Sequence, residues 1–179
     1  ITGPGQVCWG EPLNLQAHPS GGHGLHTVAW FIDDDLVGTG NPLHLDSLIA
    51  TSEFTYVFTD DACGISERSD PHEVKVNPKI VAGNITGGNS PVCYGHPGGT
   101  LEAHPSGGSG TGTYKIKWCN ANGDSLGNGI FFTIGNLFNT STYYYSVTDI
   151  IGCGPVKSNN KTIDVFQNLV AGPITGGDP

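Results

Sequence analysis

The chain has 179 residues, of which 36% are hydrophobic and only 13% charged, with 28 glycines and 12 prolines. This composition favours short strands and turns, because both residues weaken helix interiors, and no apolar run reaches the roughly 18 residues that could span a bilayer. Sixteen acidic and seven basic side chains give a formal charge of −9, which excludes phosphate backbones and anionic lipid surfaces as partners while leaving calcium and neutral glycans compatible.

From the N-terminus, the first landmarks are Ile1-Thr2-Gly3 and Val7-Cys8-Trp9-Gly10. Alternating Leu13, Leu15 and Ala17 predict a strand that ends in the turn Pro19-Ser20-Gly21-Gly22. Val28, Trp30 and Ile32 predict the next, closed by Asp33-Asp34-Asp35. Phe54, Tyr56 and Phe58 predict a third, followed by Asp60-Asp61 and Cys63, and Val74 with Val76 predicts the last. The same order then recurs. Ile85-Thr86-Gly87 precedes Val92-Cys93-Tyr94-Gly95, Leu101 with Ala103 leads into Pro105-Ser106-Gly107-Gly108, and strands are predicted at Tyr114 to Trp118, Ile130 to Ile134, Tyr143 to Val147, and Ile163 with Val165. A third Ile-Thr-Gly begins at Ile174.

Self-similarity at this spacing outranks any local motif. It divides the chain into repeat 1 (residues 1–83), repeat 2 (84–172) and the start of a truncated third repeat (173–179). With no methionine and no leader, the sequence reads as an internal fragment. Period-two alternation over short runs separated by turn clusters is the pattern of an all-β, two-sheet antiparallel sandwich, here written twice. Domains of about 85 residues bury a small core and gain from cross-links.

Repeat alignment equates Cys8 with Cys93 and Cys63 with Cys153, predicting the disulfides Cys8–Cys63 and Cys93–Cys153 and an oxidising compartment. Cys119 has no counterpart and is left unpaired, a small apolar residue beside Trp118. The chain's candidate calcium ligands are Asp33, Asp34, Asp35, Asp60 and Asp61, since clustered carboxylates supply hard oxygen donors; there is no EF-hand loop, and solvated acidic turns are the favoured explanation. No other cofactor is implied. His18, His23 and His26 lie close together, but only His18 recurs, as His104. No nucleophile elbow, zincin motif or phosphate loop is present, so no catalytic residue is assigned and the chain is read as a non-enzyme. Trp9, Tyr94 and the run Tyr143-Tyr144-Tyr145 are the aromatics that could stack on a sugar.

The order C-[WY]-G, L-x-A, a tryptophan-bearing strand, a tyrosine-rich strand, V-T-D and G-C resembles the immunoglobulin-like repeats of very large Bacteroidetes surface proteins, including gliding-motility adhesins and repeat regions of secreted polysaccharide-degrading enzymes. The resemblance implies two tandem immunoglobulin-like sandwiches, export through the type IX system and display at the cell surface. It also implies a non-catalytic stalk, spacer or cell-adhesion module, whose partners are neighbouring repeats and surface glycans. The alternative is a glycan-binding accessory module of such an enzyme. Asp46-Ser47-Leu48 and Asp124-Ser125-Leu126 look like the O-glycosylation sites of those bacteria. The chain departs from antibody domains in that its first cysteine precedes the strand that would carry it, so no cysteine–tryptophan pin between sheets is implied. A monomer is expected, with no membrane insertion.

Overall fold

The computed structural model describes residues 1–23, 25–109, 114–173 and 175. The chain divides into two compact units, Ile1–Lys79 with Gly107–Thr111, and Ile80–Ser106 with Gly112–Pro179. The break falls a few residues before the boundary expected at 83, because Val81 already pairs with Ser106 of the second unit. Residues 174 and 176–179, most of the expected third repeat, lie outside the described residues. All named elements are strands, and among the described residues no helix is long and apolar enough to cross a membrane.

In the first unit, one sheet runs β1 (Gln6–Cys8), β8 (His72–Asn77), β6 (Ser52–Asp60), β3 (His26–Ile32) and β4 (Asp35–Thr39), with β7 (Ile65–Arg68) also on β6. The facing sheet pairs β2 (Glu11–Leu15) with β5 (Leu43–Leu48) and is extended by the Thr2–Gln16 bridge. β1 is parallel to β8 and the other pairs are antiparallel. This is an immunoglobulin-like sandwich whose first strand is split between the two sheets.

The second unit repeats the wiring. β12 (Ser125–Asn128), β11 (Tyr114–Asn120), β14 (Ser141–Asp149), and then β15 (Val156–Lys157) and β16 (Lys161–Ile163) form one sheet. β13 (Phe131–Leu137), β10 (His96–Ala103) and β9 (Ile85–Gly87) form the other. Val92 makes the parallel bridge to Val165, in the place of β1 on β8. The all-β class and the two tandem sandwiches are therefore as the sequence implied.

Alternation places the core. Leu13 and Leu15 of β2, Trp30 of β3, Phe54 of β6 and Val74 of β8 are all within 1% of complete burial, as are Leu101, Trp118, Tyr145, Val147 and Ile163 in the second unit. Each tryptophan lies against a tyrosine of the neighbouring strand, Trp30 on Tyr56 (5.4 Å) and Trp118 on Tyr145 (5.2 Å). Each also donates its indole N–H to a glycine carbonyl, Gly40 or Gly129, at 2.8 Å. A buried indole is tolerated because this one donor is satisfied.

The Ile-Thr-Gly and His-Pro motifs explain each other. Thr2 Oγ1 and His18 Nε2 are 2.7 Å apart, and Thr86 Oγ1 and His104 Nε2 also 2.7 Å. Gly87 has a φ of 75°, and a Cβ there would lie 2.3 Å from the Thr100 carbonyl, so the strand can run this close only as glycine.

Candidate functional site: the two poles of each sandwich

At one pole, each long central strand ends in an aspartate that builds the following turn. Asp60 is 5% exposed, and its carboxylate accepts N–H donors from His23, from Ala62 (2.9 Å) and from Cys63 (3.2 Å). The His23 N–H is the largest cause holding this carboxyl below its ordinary range. With Ala62, Cys63 and the nearby His26 ring, it outweighs the opposing effect of burial. Asp149, fully buried, does the same for the second repeat, accepting from Ile151 (3.1 Å) and Cys153 (2.8 Å). A buried carboxylate is retained where backbone donors surround it, and the turn it shapes carries Cys63 or Cys153. Beside Cys63 lies a hollow of about 370 Å³, walled by Phe58 and Ile65 and rimmed by His23, Asp60 and Glu67.

At the opposite pole, the C-[WY]-G motif is a turn. Gly10 (φ 79°) donates to the Leu48 carbonyl at 2.8 Å, and Gly95 (φ 77°) donates to Leu137 at 2.7 Å. The left-handed backbone explains the glycine. Trp9 is 42% exposed, with Lys79 Nζ 4.6 Å from its ring, and Tyr94, equally exposed, meets Phe138 edge-on at 5.2 Å.

The expected disulfides Cys8–Cys63 and Cys93–Cys153 are not formed. Cys63 and Cys93 are free and exposed, whereas Cys8 and Cys153 are disulfide-bonded. Strand register gives the reason. Cys8 lies level with Asn77 at the end of β8, and the antiparallel pairing of Ser52 with Val74 places that end beside the start of β6. Cys63 follows Asp60, at the far end of β6. At about 3.3 Å per residue the two cysteines are roughly 30 Å apart, far beyond the ~7 Å between Cα atoms that a disulfide can span. In the second repeat, Cys93 follows the Val92–Val165 bridge near the start of β14, while Cys153 is hydrogen-bonded to Asp149 at its end. The two cysteines of each repeat thus occupy opposite poles, and equivalent cysteines occupy the same pole.

The five proposed calcium ligands are likewise separated. Asp33 and Asp34 (φ 47° and 70°) are the two-residue turn joining β3 to β4, across which Ile32 pairs with Asp35. Asp60 is level with His26 at the other end of β3, roughly 20 Å away at strand rise. Asp34 accepts from Arg68 at 2.6 Å, and Asp60 has its oxygens committed to backbone donors. Among the described residues, no three His, Cys, Asp or Glu side chains gather as metal ligands. The three neighbouring histidines also serve structure: His18 meets Thr2, His23 gives its N–H to Asp60, and the His26 ring lies 4.6 Å from Phe58.

Of the tyrosine run, Tyr143 and Tyr145 point into the core and Tyr144 points outward, with Lys157 Nζ 3.7 Å from its ring. Cys119 is free, only 3% exposed, and pairs in register with Tyr144 on the face opposite Trp118. The Cys119 side chain, then burial, pushes the Tyr144 phenol up.

Two residues that the sequence pattern did not single out tie the broken last strand to the central strand of the same sheet. Ser69 and Ser158 sit where the last strand breaks in two, and each hydroxyl accepts the N–H of the central tyrosine (Tyr56 or Tyr145) at 3.0 Å. Their sequence signal is only Ser followed by Asp70 or Asn159, to whose carbonyl each hydroxyl donates.

No family profile matches the chain, and no curated protein matches it. Solved structures do. The three N-terminal domains of the Highly Immunogenic Outer Capsid protein of bacteriophage RB49 share 15% identity at a TM-score of 0.46, over 89% of this chain and 55% of that one. The fibronectin(III)-like modules of Clostridium thermocellum CbhA share 11% at a TM-score of 0.41, over 97% of this chain and 95% of theirs. The N-terminal eight Ig domains of Down Syndrome Cell Adhesion Molecule share 17% at 0.46, over 94% of this chain and 24% of that one. This chain thus spans about half of the first of these structures. At such identities the likeness concerns the tandem sandwich fold alone, which rests here on the strand pairing itself.

Proposed function

We propose that the chain is a non-catalytic, extracellular repeat segment of a bacterial surface adhesin, working as a spacer or cell-adhesion module. The observation that carries this reading is that the repeat-equivalent polar side chains are engaged in holding strands together. Thr2 and Thr86, His18 and His104, Ser69 and Ser158, and Asp60 and Asp149 all bond within their own sandwich. The same internal bonds recur in both repeats, as in a module whose repeats are stacked for their shape. The Bacteroidetes adhesin type, with type IX export and surface display, is the specific setting that the motif order favours, and the disulfide-bonded cysteines fit an oxidising location.

Force spectroscopy on the reduced two-repeat chain tests this. The expected trace has two unfolding steps of near-equal contour length; a single step, or extension at the low force of an unstructured linker, would overturn the spacer role. A panel of neutral polysaccharides run alongside is expected to give no binding, and saturable binding would replace the spacer with the accessory-module reading.

A further inference from the structure

We propose that the two free, exposed cysteines form disulfides with further copies of the repeat: Cys63 takes a Cys8-type cysteine, and Cys93 a Cys153-type cysteine. The proposal rests on the reading of the chain as part of a repeat array.

Three observations carry it. First, register puts the two cysteines of each sandwich at opposite poles, roughly 30 Å apart at strand rise, so neither repeat can close its own bond. Second, the repeat equivalents of the two free cysteines, Cys153 for Cys63 and Cys8 for Cys93, are disulfide-bonded in this same structure. The motif is therefore competent for bonding at both of its positions. Third, the surroundings of the free pair are complementary. Cys63 opens beside a hollow walled by Phe58 and Ile65, the latter 63% exposed, whereas Cys93 is followed by the protruding Tyr94–Phe138 pair, 42% and 53% exposed. An aromatic knob seated in an apolar hollow would remove both from water and hold the two sulfurs at bonding distance. One cysteine per pole makes every repeat bivalent, so the bonds join copies into an unbranched chain.

The step is a two-electron oxidation. The Cys63 thiolate attacks a small-molecule disulfide such as glutathione disulfide, one glutathione thiolate leaves, and the Cys93-type thiolate then attacks the mixed disulfide and expels the second glutathione. One protein S–S bond forms, one glutathione S–S bond breaks, and the two thiol protons pass to solvent or to the glutathione thiolates.

The chain as it stands supports the test, because Cys63 of one copy and Cys93 of another are the required heterotypic pair. The protein is concentrated, incubated with glutathione disulfide, run on non-reducing gels and digested for disulfide mapping by mass spectrometry. The expected result is a ladder of covalent oligomers in which Cys63–Cys93 linkages clearly exceed the half share that random pairing of two equally reactive thiols gives. C63S and C93S should each stop the ladder at the dimer, and the double variant should remain a monomer with unchanged melting. Recovery of Cys8–Cys63 or Cys93–Cys153 peptides would overturn the proposal, and so would a random mixture of linkages or the absence of oligomers. These outcomes are independent of the force and polysaccharide measurements, so the spacer reading can fail or survive separately.

Discussion

The two repeats agree in their interiors and diverge in their hairpins. Trp30 and Trp118 have the same tyrosine neighbour and the same carbonyl acceptor at the same distance. The loops that follow those tryptophan strands are built differently. Repeat 1 closes with the two left-handed residues Asp33 and Asp34, while repeat 2 uses a longer turn in which Asn120 Oδ1 accepts N–H donors from Asn122 (3.0 Å) and Asp124 (2.9 Å). Positions that hold the sheets together are constrained by packing, whereas a hairpin has only to reverse the chain and can do so with several turn chemistries. The comparison locates the shared energetic framework in the core and the strand ends.

The largest effect should come from the tryptophans. Trp118→Ala empties a fully buried site and is expected to destabilise repeat 2 by about 3–5 kcal/mol, with Trp30→Ala matching it in repeat 1. Trp118→Phe retains most of the packing and loses the part-buried bond to the Gly129 carbonyl, for about 1 kcal/mol beyond any repacking cost. Urea unfolding followed by circular dichroism reads each. Equal penalties in the two repeats would confirm a shared framework, and a difference above about 2 kcal/mol would break it.

Serine substitutions should separate the repeats. Ser158→Ala leaves the Tyr145 N–H without its acceptor in a site where the serine is only 7% exposed, costing about 1–3 kcal/mol. Ser69→Ala does the same to Tyr56 in a less buried setting, where water can replace the hydroxyl, so a smaller loss is expected. Equal losses would mean that burial does not set the energy of this contact.

Asp60 gives repeat 1 an acid response. Its folded-state pKa is lowered, so its stabilising contribution is fully present above the ordinary carboxylate range and is lost as pH falls through the lowered value. Melting of repeat 1 measured from pH 7 to pH 2 should therefore fall towards the acid end. Asp60→Asn should flatten this fall while lowering stability at pH 7, because an amide supplies one acceptor where three N–H donors converge. An unchanged acid limb in D60N would show that other carboxylates dominate it.

The sandwich was legible because burial imprints itself on the sequence. Leu15 and Trp30 are buried between more exposed neighbours, and each has a buried counterpart in the second repeat, Leu101 and Trp118. Cysteine pairing was not legible, because alignment establishes which residues are equivalent and says nothing about which strand end they occupy. That depends on β6 running unbroken from Ser52 to Asp60 and on the last strand breaking at Ser69. The aspartate clusters misled for a related reason: Asp33 and Asp34 serve a turn that tolerates left-handed aspartate, and Asp60 caps backbone donors. Neither role differs in composition from a calcium ligand.

The smallest predicted effect lies in the β3–β4 turn, where the two repeats differ most. Asp34 adopts a left-handed conformation (φ 70°) and carries a surface ion pair to Arg68 at 2.6 Å. Asp34→Ala keeps the unfavourable backbone angle while removing the ion pair to Arg68, and should cost repeat 1 about 1 kcal/mol. Asp34→Gly also loses the ion pair but relieves the backbone, so its net change should stay within about 0.5 kcal/mol of zero. The ion-pair loss is common to both variants, so the gap between them isolates the backbone contribution. If D34A and D34G melt together, the turn is held by the Arg68 contact and not by its dihedral angles, and the resemblance between the two hairpins is closer than their different lengths suggest.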